Sequence, residues 1–193
     1  NYILVSVSHH VTDDSFFSGQ EGQPEYHNEF ICIPANIHLR PQPIHEKPLM
    51  KGPQSAIVVG PAGEEIYIDE HCRIKVQFYW DRQGKNDENS TCFIRVVQSW
   101  AGNQWGASFI PRIGHEVIVN FLDGDPDRPL VTGSVYNGWN KPVYSSKTQS
   151  GIKSRSTKGG TAQNYNEFRF EDKKGGEQVY LHAEKDFDTH VEN

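Results

Sequence analysis

Residues 111–138 read PRIGHEVIVNFLDGDPDRPLVTGSVYNG, two apolar runs joined by a turn crowded with Asp, Gly and Pro. Val117, Val119 and Phe121 recur with period two and so share one face of a strand. Asp123-Gly124 supplies the positive-φ chemistry of a hairpin turn. Asp125, Pro126, Asp127, Arg128 and Pro129 stiffen the connection, because the two prolines fix φ and remove backbone donors. Leu130–Tyr136 then resumes an extended apolar run. The stretch predicts a rigid corner of a β-barrel, with Asp123, Gly124, Asp125, Pro126, Asp127, Arg128 and Pro129 as its structural turn.

Working upstream, strand candidates recur at Ala56–Val59, Glu65–Ile68, Arg73–Trp80 and Thr91–Trp100, and downstream of them at His115–Leu122 and Pro129–Tyr136. Arg73–Trp80 alternates most cleanly. Ile74, Val76, Phe78 and Trp80 face one side, while Arg73, Lys75 and Gln77 face the other. With Val117, Val119 and Phe121 they form the expected barrel core. Residues 81–87 form a polar hairpin loop. No helical period survives over ten residues, so the fold class is all-β. About five short strands with turns between them predict a Greek-key barrel of the oligonucleotide/oligosaccharide-binding (OB) type over residues 49–142.

Residues 1–48 hold two extended segments, Tyr2–Val11 and Tyr26–Pro34, separated by a polar loop and followed by a Pro-rich linker. Two strands do not make a stable unit in water, so further strands are expected before Asn1. The chain starts as a strand and its only Met is Met50, which reads as an internal piece of a longer protein. At the other end, residues 145–161 are rich in Ser, Lys, Thr and Gly and by themselves read as a flexible linker. Three weak β signatures follow, Phe168–Glu171, Gln178–His182 and Phe187–Val191. Each places only two or three apolar residues on one face. Phe168, Phe170, Val179, Leu181, Phe187 and Val191 are therefore expected to pack against identical copies wound about a common axis, as in β-helical stalks.

Composition agrees with this division. Only 35% of the 193 residues are hydrophobic, so any core is thin, or else surface is buried against other subunits. A net charge of −6 argues against an unassisted binder of nucleic acid or membrane surfaces. No run is long enough to span a bilayer as a helix. Cys32, Cys72 and Cys92 share no CxxC spacing, so no disulfide framework is expected and a reducing place of synthesis is favoured.

The 111–138 stretch, the upstream WAGNQWGASFIPR, and SGIKSRSTKGG with NEFRFEDKKGGEQVYLHAEKDFDTHVEN closely resemble the valine-glycine repeat protein G (VgrG) family, the spike proteins of bacterial type VI secretion. HCRIKVQFYWDRQGK and EYHNEFICIPA are similar to the family as well, so the resemblance covers nearly the whole chain. It implies a homotrimer like the hub and spike of contractile phage tails. Residues 1–48 would end a phage-hub-like β domain, and residues 143–193 would form the neck and the start of a triple-stranded β-prism. The phage relative carries a lysozyme between barrel and prism, whereas only a short polar stretch separates Gly138 from Phe168 here. The resemblance thus implies a cell-puncturing function without catalysis or cofactor. Its implied partners are an Hcp-like tube protein, tip or effector proteins on the stalk, and the target cell envelope. Synthesis in the bacterial cytoplasm and export through the type VI apparatus complete that picture.

Several residues invite other chemistry. Asp123, Asp125 and Asp127 alternate like the first ligands of a calcium loop, but Arg128 and Ser134 occupy the places that need Gly and a bidentate acid. His9-His10 with Asp13-Asp14 lacks a third ligand at metal-site spacing, and adjacent strand residues point to opposite faces. Asp69-Glu70-His71-Cys72 reads as a charged turn with one small buried thiol. His182 and His190 could meet on a threefold axis or face outward as polar prism positions. Phe78, Tyr79, Trp80, Trp100 and Trp105 could stack bases, as OB barrels do, although the acidic balance favours core and inter-subunit packing and no nucleic acid is expected. An OB-fold binding module for single-stranded nucleic acid or glycan is the alternative reading. A hydrolase has no motif behind it: neither a nucleophile elbow, a P-loop nor an HExxH is present.

Overall fold

The alternating runs become ten strands in a computed structural model, which describes residues 1–13 and 24–193. Two units emerge, Asn1–Lys47 and Pro48–Asn193. In the first, β1 (Tyr2–Thr12) pairs antiparallel with β2 (Glu25–Pro34), and a bulge lies between Leu4 and Ser6. Every residue of β1 is exposed, including Tyr2, Leu4 and Val11, as a two-stranded ribbon with no second layer requires. Most of the loop expected between these strands, with Asp14 of the candidate His9-His10-Asp13-Asp14 cluster, lies outside the described residues.

In the second unit, β3 (Gln54–Val59), β4 (Lys75–Phe78), β5 (Arg95–Val96), β6 (Glu116–Phe121) and β7 (Pro129–Val135) form one sheet in the order β4-β3-β6-β7-β5. β5 and β7 run parallel and the other pairs antiparallel. The two sheet edges meet where Ile74 and Ile94 exchange both backbone bonds, at 3.0 and 2.7 Å. The sheet thereby closes on itself at this one bridge, which shortens its free edges. Ala56, Val58, Ile74, Val76, Phe78, Ile94, Val117, Val119 and Val131 fill the interior, with Ile68, Val96, Ile110 and Phe121 packed against them.

Trp80 departs from the expected core and is 59% exposed. β4 ends at Phe78, where the Asp81 N–H bonds back to the Phe78 carbonyl at 3.1 Å, so the alternation stops before Trp80. The Trp80 ring instead stacks beside Phe78 at 5.0 Å. Glu65–Ile68 forms no strand, although Ile68 still reaches the core. Thr91–Trp100 shortens to the two residues of β5 because Thr91 meets β4 through its side chain. Its Oγ1 accepts the Val76 N–H at 3.1 Å, in place of a ladder bond.

The corner between β6 and β7 is two turns in series. Asp123 (φ 57°) and Gly124 (φ 71°) both lie in the left-handed region, and the Asp125 N–H bonds the Leu122 carbonyl at 3.0 Å. This is the type I′ geometry that Asp-Gly favours. A second turn bonds Arg128 N–H to the Asp125 carbonyl at 2.9 Å, and Leu122 N–H to the Arg128 carbonyl at 3.0 Å closes the loop. Arg128 pairs with Asp123 at 2.5 Å across it, and the Gly124 carbonyl accepts Met50 N–H at 2.8 Å. The turn therefore also fastens the chain's entry into the barrel.

After the barrel, β8 (Gln149–Lys153), β9 (Glu167–Glu171) and β10 (Gln178–His182) form an antiparallel sheet in the order β10-β9-β8. β8 lies in the stretch whose composition reads as a linker; its only large apolar residue is Ile152, too little for a periodic signal. Phe187–Val191 forms no strand, since no described strand of this chain pairs with it.

Candidate functional site

The register of β8–β10 sorts its side chains into two unlike faces. Ile152 lies opposite Phe168, Ser150 opposite Phe170, Leu181 opposite Phe168 and Val179 opposite Phe170, so all six share one face. Gln149, Gly151, Lys153, Glu167, Arg169, Glu171, Gln178, Tyr180 and His182 occupy the other.

The polar face is the better covered one, though Arg169 Nε and the Tyr144 hydroxyl beside it are buried without a hydrogen-bond partner among the described residues. Glu167 is only 4% exposed and pairs with Arg169 at 3.4 Å. Arg169 also donates to Gln178 Oε1 at 3.3 Å and lies over the Tyr180 ring. Lys153 sits 3.6 Å from the Tyr165 ring centroid. His182 bonds the Tyr165 carbonyl through Nδ1 at 2.9 Å and packs on both tyrosine rings. Gly151, at φ 152°, leaves no room for a Cβ against the Phe168 carbonyl and the Tyr144 hydroxyl.

The apolar face is bare. Ile152 is 54% exposed, Phe168 43%, Phe170 38%, Leu181 58% and Val179 67%. Phe168 and Phe170 meet edge to face at 4.7 Å and touch no covering layer. A soluble sheet ordinarily buries its apolar face and solvates its polar one; this sheet does the reverse. Contiguous exposed apolar surface of this kind marks an interaction site. Phe187 and Val191 are exposed too, outside any strand. Sequence reading did not assign Ile152 or Phe109 to this surface, yet both line, with Phe168 and Leu181, a groove of about 600 Å³ at the end of the sheet.

The sheet is fastened to the barrel by an acidic loop. Lys158 Nζ pairs with Glu64 at 2.8 Å, the Gly159 N–H donates to Glu65 Oε1 at 2.8 Å, and Arg155 approaches Glu65 at 3.9 Å. The Gly159 bond, helped by Thr157 and the nearby guanidinium groups, holds the Glu65 carboxyl below its ordinary 4.5. Burial, with Arg112 and Arg155 beside it, holds His115 below its ordinary 6.5. This latch escaped sequence reading because its partners lie 94 residues apart and neither segment carries a motif.

The remaining candidates sit apart from one another. Residues 123–129 hold a corner whose Asp123–Arg128 pair is solvent-exposed. His9 bonds the Tyr26 hydroxyl at 2.6 Å, while His10 lies on the opposite face beside His27. Asp69 accepts the N–H groups of His71 and Arg73 and pairs with the Arg73 side chain at 2.6 Å, which shapes a charged turn. Its Cys72 is exposed, not buried as expected, because φ at Cys72 is 56° and turns the side chain out of the loop. Among the described residues no group of three His, Cys, Asp or Glu converges as a metal site. His182 shares the polar face, away from Phe168 and Leu181, and His190 is exposed beyond the sheet.

Residues 64–136 match the type VI secretion system/phage-baseplate injector OB domain, and residues 150–193 match the bacteriophage T4 gp5 C-terminal trimerisation domain. Over its whole length the chain is 51% identical to the type VI secretion system spike protein VgrG1b of Pseudomonas aeruginosa and 50% identical to VgrG1a of the same organism. It is 46% identical, again over its whole length, to the actin cross-linking toxin VgrG1 of Vibrio cholerae. The chain spans 26%, 30% and 18% of the lengths of these three relatives. The closed OB barrel, the trimerisation match on the bare-faced sheet and this identity agree: the chain belongs to the VgrG family.

Proposed function

We propose that this chain is the barrel-and-neck segment of a homotrimeric spike that tips a type VI secretion machine and is driven through a target envelope. In this reading residues 1–48 end a hub domain, residues 49–142 are the OB barrel, and residues 143–193 are the neck and start of the prism. One observation carries it: the sheet in the segment that matches a trimerisation domain covers much of its polar face within the chain and leaves Ile152, Phe168, Phe170, Val179 and Leu181 bare. Two further copies cover that face, and a closed prism leaves no edge to fray under load.

The function is mechanical. Each chain's apolar face contributes roughly 25 cal/mol per Å² buried to holding the shaft together. The corner at residues 123–129 and the Glu64–Lys158 and Glu65–Gly159 contacts pass axial force from shaft to barrel. The assembly sits on an Hcp-like tube protein, carries tip or effector proteins, and is made in the bacterial cytoplasm before export through the apparatus. Complementing a spike-deficient strain with full-length Phe168→Asp tests this. The variant should be made in normal amount yet release no tube protein into the medium; normal release would overturn the reading.

Exposed Trp80, Trp100, Trp105 and Tyr79 favour a second reading, an OB platform for single-stranded nucleic acid. It predicts binding of labelled single-stranded DNA that weakens steeply with salt. The charge of −6 opposes it.

A further inference from the structure

Between Val97, whose N–H bonds the Val131 carbonyl of β7, and Ile110, which packs against the barrel core, residues 98–109 form an arm that supplies nothing to the barrel interior. Its base is fixed where Gln98 donates to the Phe109 carbonyl at 3.2 Å and accepts the Phe109 N–H at 2.8 Å. Its tip is a small hairpin: Ala107 N–H bonds the Trp100 carbonyl at 2.9 Å and Gly102 N–H bonds the Trp105 carbonyl at 2.8 Å. The two indoles meet edge to face, 5.0 Å apart and 81° between planes. Gly102 lies directly against the Trp105 ring, where any side chain would collide with it. The arm is therefore a built display, yet Trp100 and Trp105 remain 65% and 58% exposed. No residue from Val97 to Ile110 is charged, in a chain where 23% are. Rigid, uncharged and tryptophan-bearing, it has the composition of an interface anchor.

A cleft of about 740 Å³ opens at the foot of the arm, lined by Phe109, Tyr136, Trp139, Lys141 and Arg155 but not by Trp100 or Trp105 at the arm's tip. Tyr136 and Trp139 are 59% and 62% exposed, so the chain does not fill it. Arg155 and Ala162 in its wall belong to the segment that matches the trimerisation domain. Phe109 lines both this cleft and the groove that holds Ile152, Phe168 and Leu181, which makes the apolar surface continuous from sheet to barrel.

We propose that the contact between copies runs up from the shaft onto the barrel, with the Trp100–Trp105 arm of one copy seated in the Phe109–Tyr136–Trp139 cleft of the next. The inference rests on the trimer reading and names a contact that reading does not require. A knob and a cleft at different places on one surface make a heterologous contact, and such a contact closes into a ring when repeated about an axis. Continuity with the shaft face identifies the occupant as a second copy of this chain.

The test uses full-length protein with Cys32, Cys72 and Cys92 replaced by Ser. Two variants, Asn103→Cys at the arm tip and Lys141→Cys at the cleft rim, are co-expressed with different tags and treated with a short bismaleimide. The proposal predicts a cross-linked species that carries both tags, absent when either variant is treated alone. Light scattering on the same samples reads the number of chains per particle. Three chains with no cross-link between the tags overturns the arm-in-cleft contact and leaves the trimer standing. Cross-links from Asn103→Cys alone also overturn it, because arms would then meet arms. One chain per particle overturns both. As a second measure, Trp105→Ala should raise the concentration at which the trimer half-dissociates at least tenfold, and an unchanged value counts against the contact.

Discussion

Phe168→Ala probes the bare face where it should matter most. Phe168 sits centrally, with Ile152 and Leu181 as its cross-strand neighbours, and is 43% exposed in one chain. A phenylalanine buries about 150–250 Å² when fully covered. Covering the exposed part therefore removes roughly 65–110 Å² from water, worth about 1.6–2.7 kcal/mol per copy at ~25 cal/mol per Å². Three copies lose about 5–8 kcal/mol together, which shifts a trimer's association constant by roughly four to six orders of magnitude. The midpoint concentration depends on the square root of that constant, so it should rise by about two to three orders of magnitude. Sedimentation equilibrium of the full-length protein across dilution measures this directly. The single chain should stay folded, because Phe168 contributes nothing to the barrel interior. A midpoint within threefold of the parent would refute the claim that this face lies between copies.

Three further outcomes separate the roles of the other elements. Gly124→Val should lower the melting temperature more than Arg128→Ala: a β-branched residue at φ 71° costs at least about 1–2 kcal/mol, whereas an exposed ion pair is worth less than about 1 kcal/mol. Differential scanning calorimetry that reverses this order would show the corner is held by charge and not by backbone. Ile74→Ala should cost about 2–5 kcal/mol in denaturant unfolding, since Ile74 is fully buried at the seam that closes the barrel, and a loss under 1 kcal/mol would argue against closure there. Stability should also fall in two stages on acidification. His115 is held below its ordinary 6.5, so the unfolded chain takes up that proton first and stability declines as pH falls through about 6.5. Glu65 is held below 4.5, so its contribution is present above 4.5 and disappears as pH falls further. His115→Gln should remove the upper stage, and Glu65→Gln should shrink the lower one, to which Asp69, Asp81, Glu171, Glu177 and Glu184 also contribute; melting curves against pH in which neither stage changes would contradict the assignment.

The barrel was legible where side-chain alternation and backbone pairing coincide. Val117 and Val119 on β6, and Ile74, Val76 and Phe78 at β4, announce buried positions because every second residue is apolar and the strand persists. Trp80 shows the limit, for the pattern continues two residues after the ladder ends, and alternation alone does not reveal where a turn intervenes. Gln149–Lys153 was illegible for the opposite reason. Its pairing with β9 is made by backbone groups, which leave no trace in composition when only Ile152 is apolar. The Asp-Gly turn was readable because two adjacent left-handed residues demand particular side chains, whereas the Glu64–Lys158 and Glu65–Gly159 contacts join residues that carry no local signal. For the bare sheet face, the sequence shows too few apolar residues for a core, and their register shows that they gather on one side. Neither alone identifies an interface.

Hydroxyl-radical footprinting of the intact, full-length protein tests the central claim most directly. If copies cover this face, Phe168, Phe170 and Leu181 resist oxidation although a single chain exposes them by 43%, 38% and 58%, while Trp80 is modified freely. Oxidation of all four at the rates their single-chain exposures dictate would mean that the face is open to water, and the trimeric spike would have no structural basis.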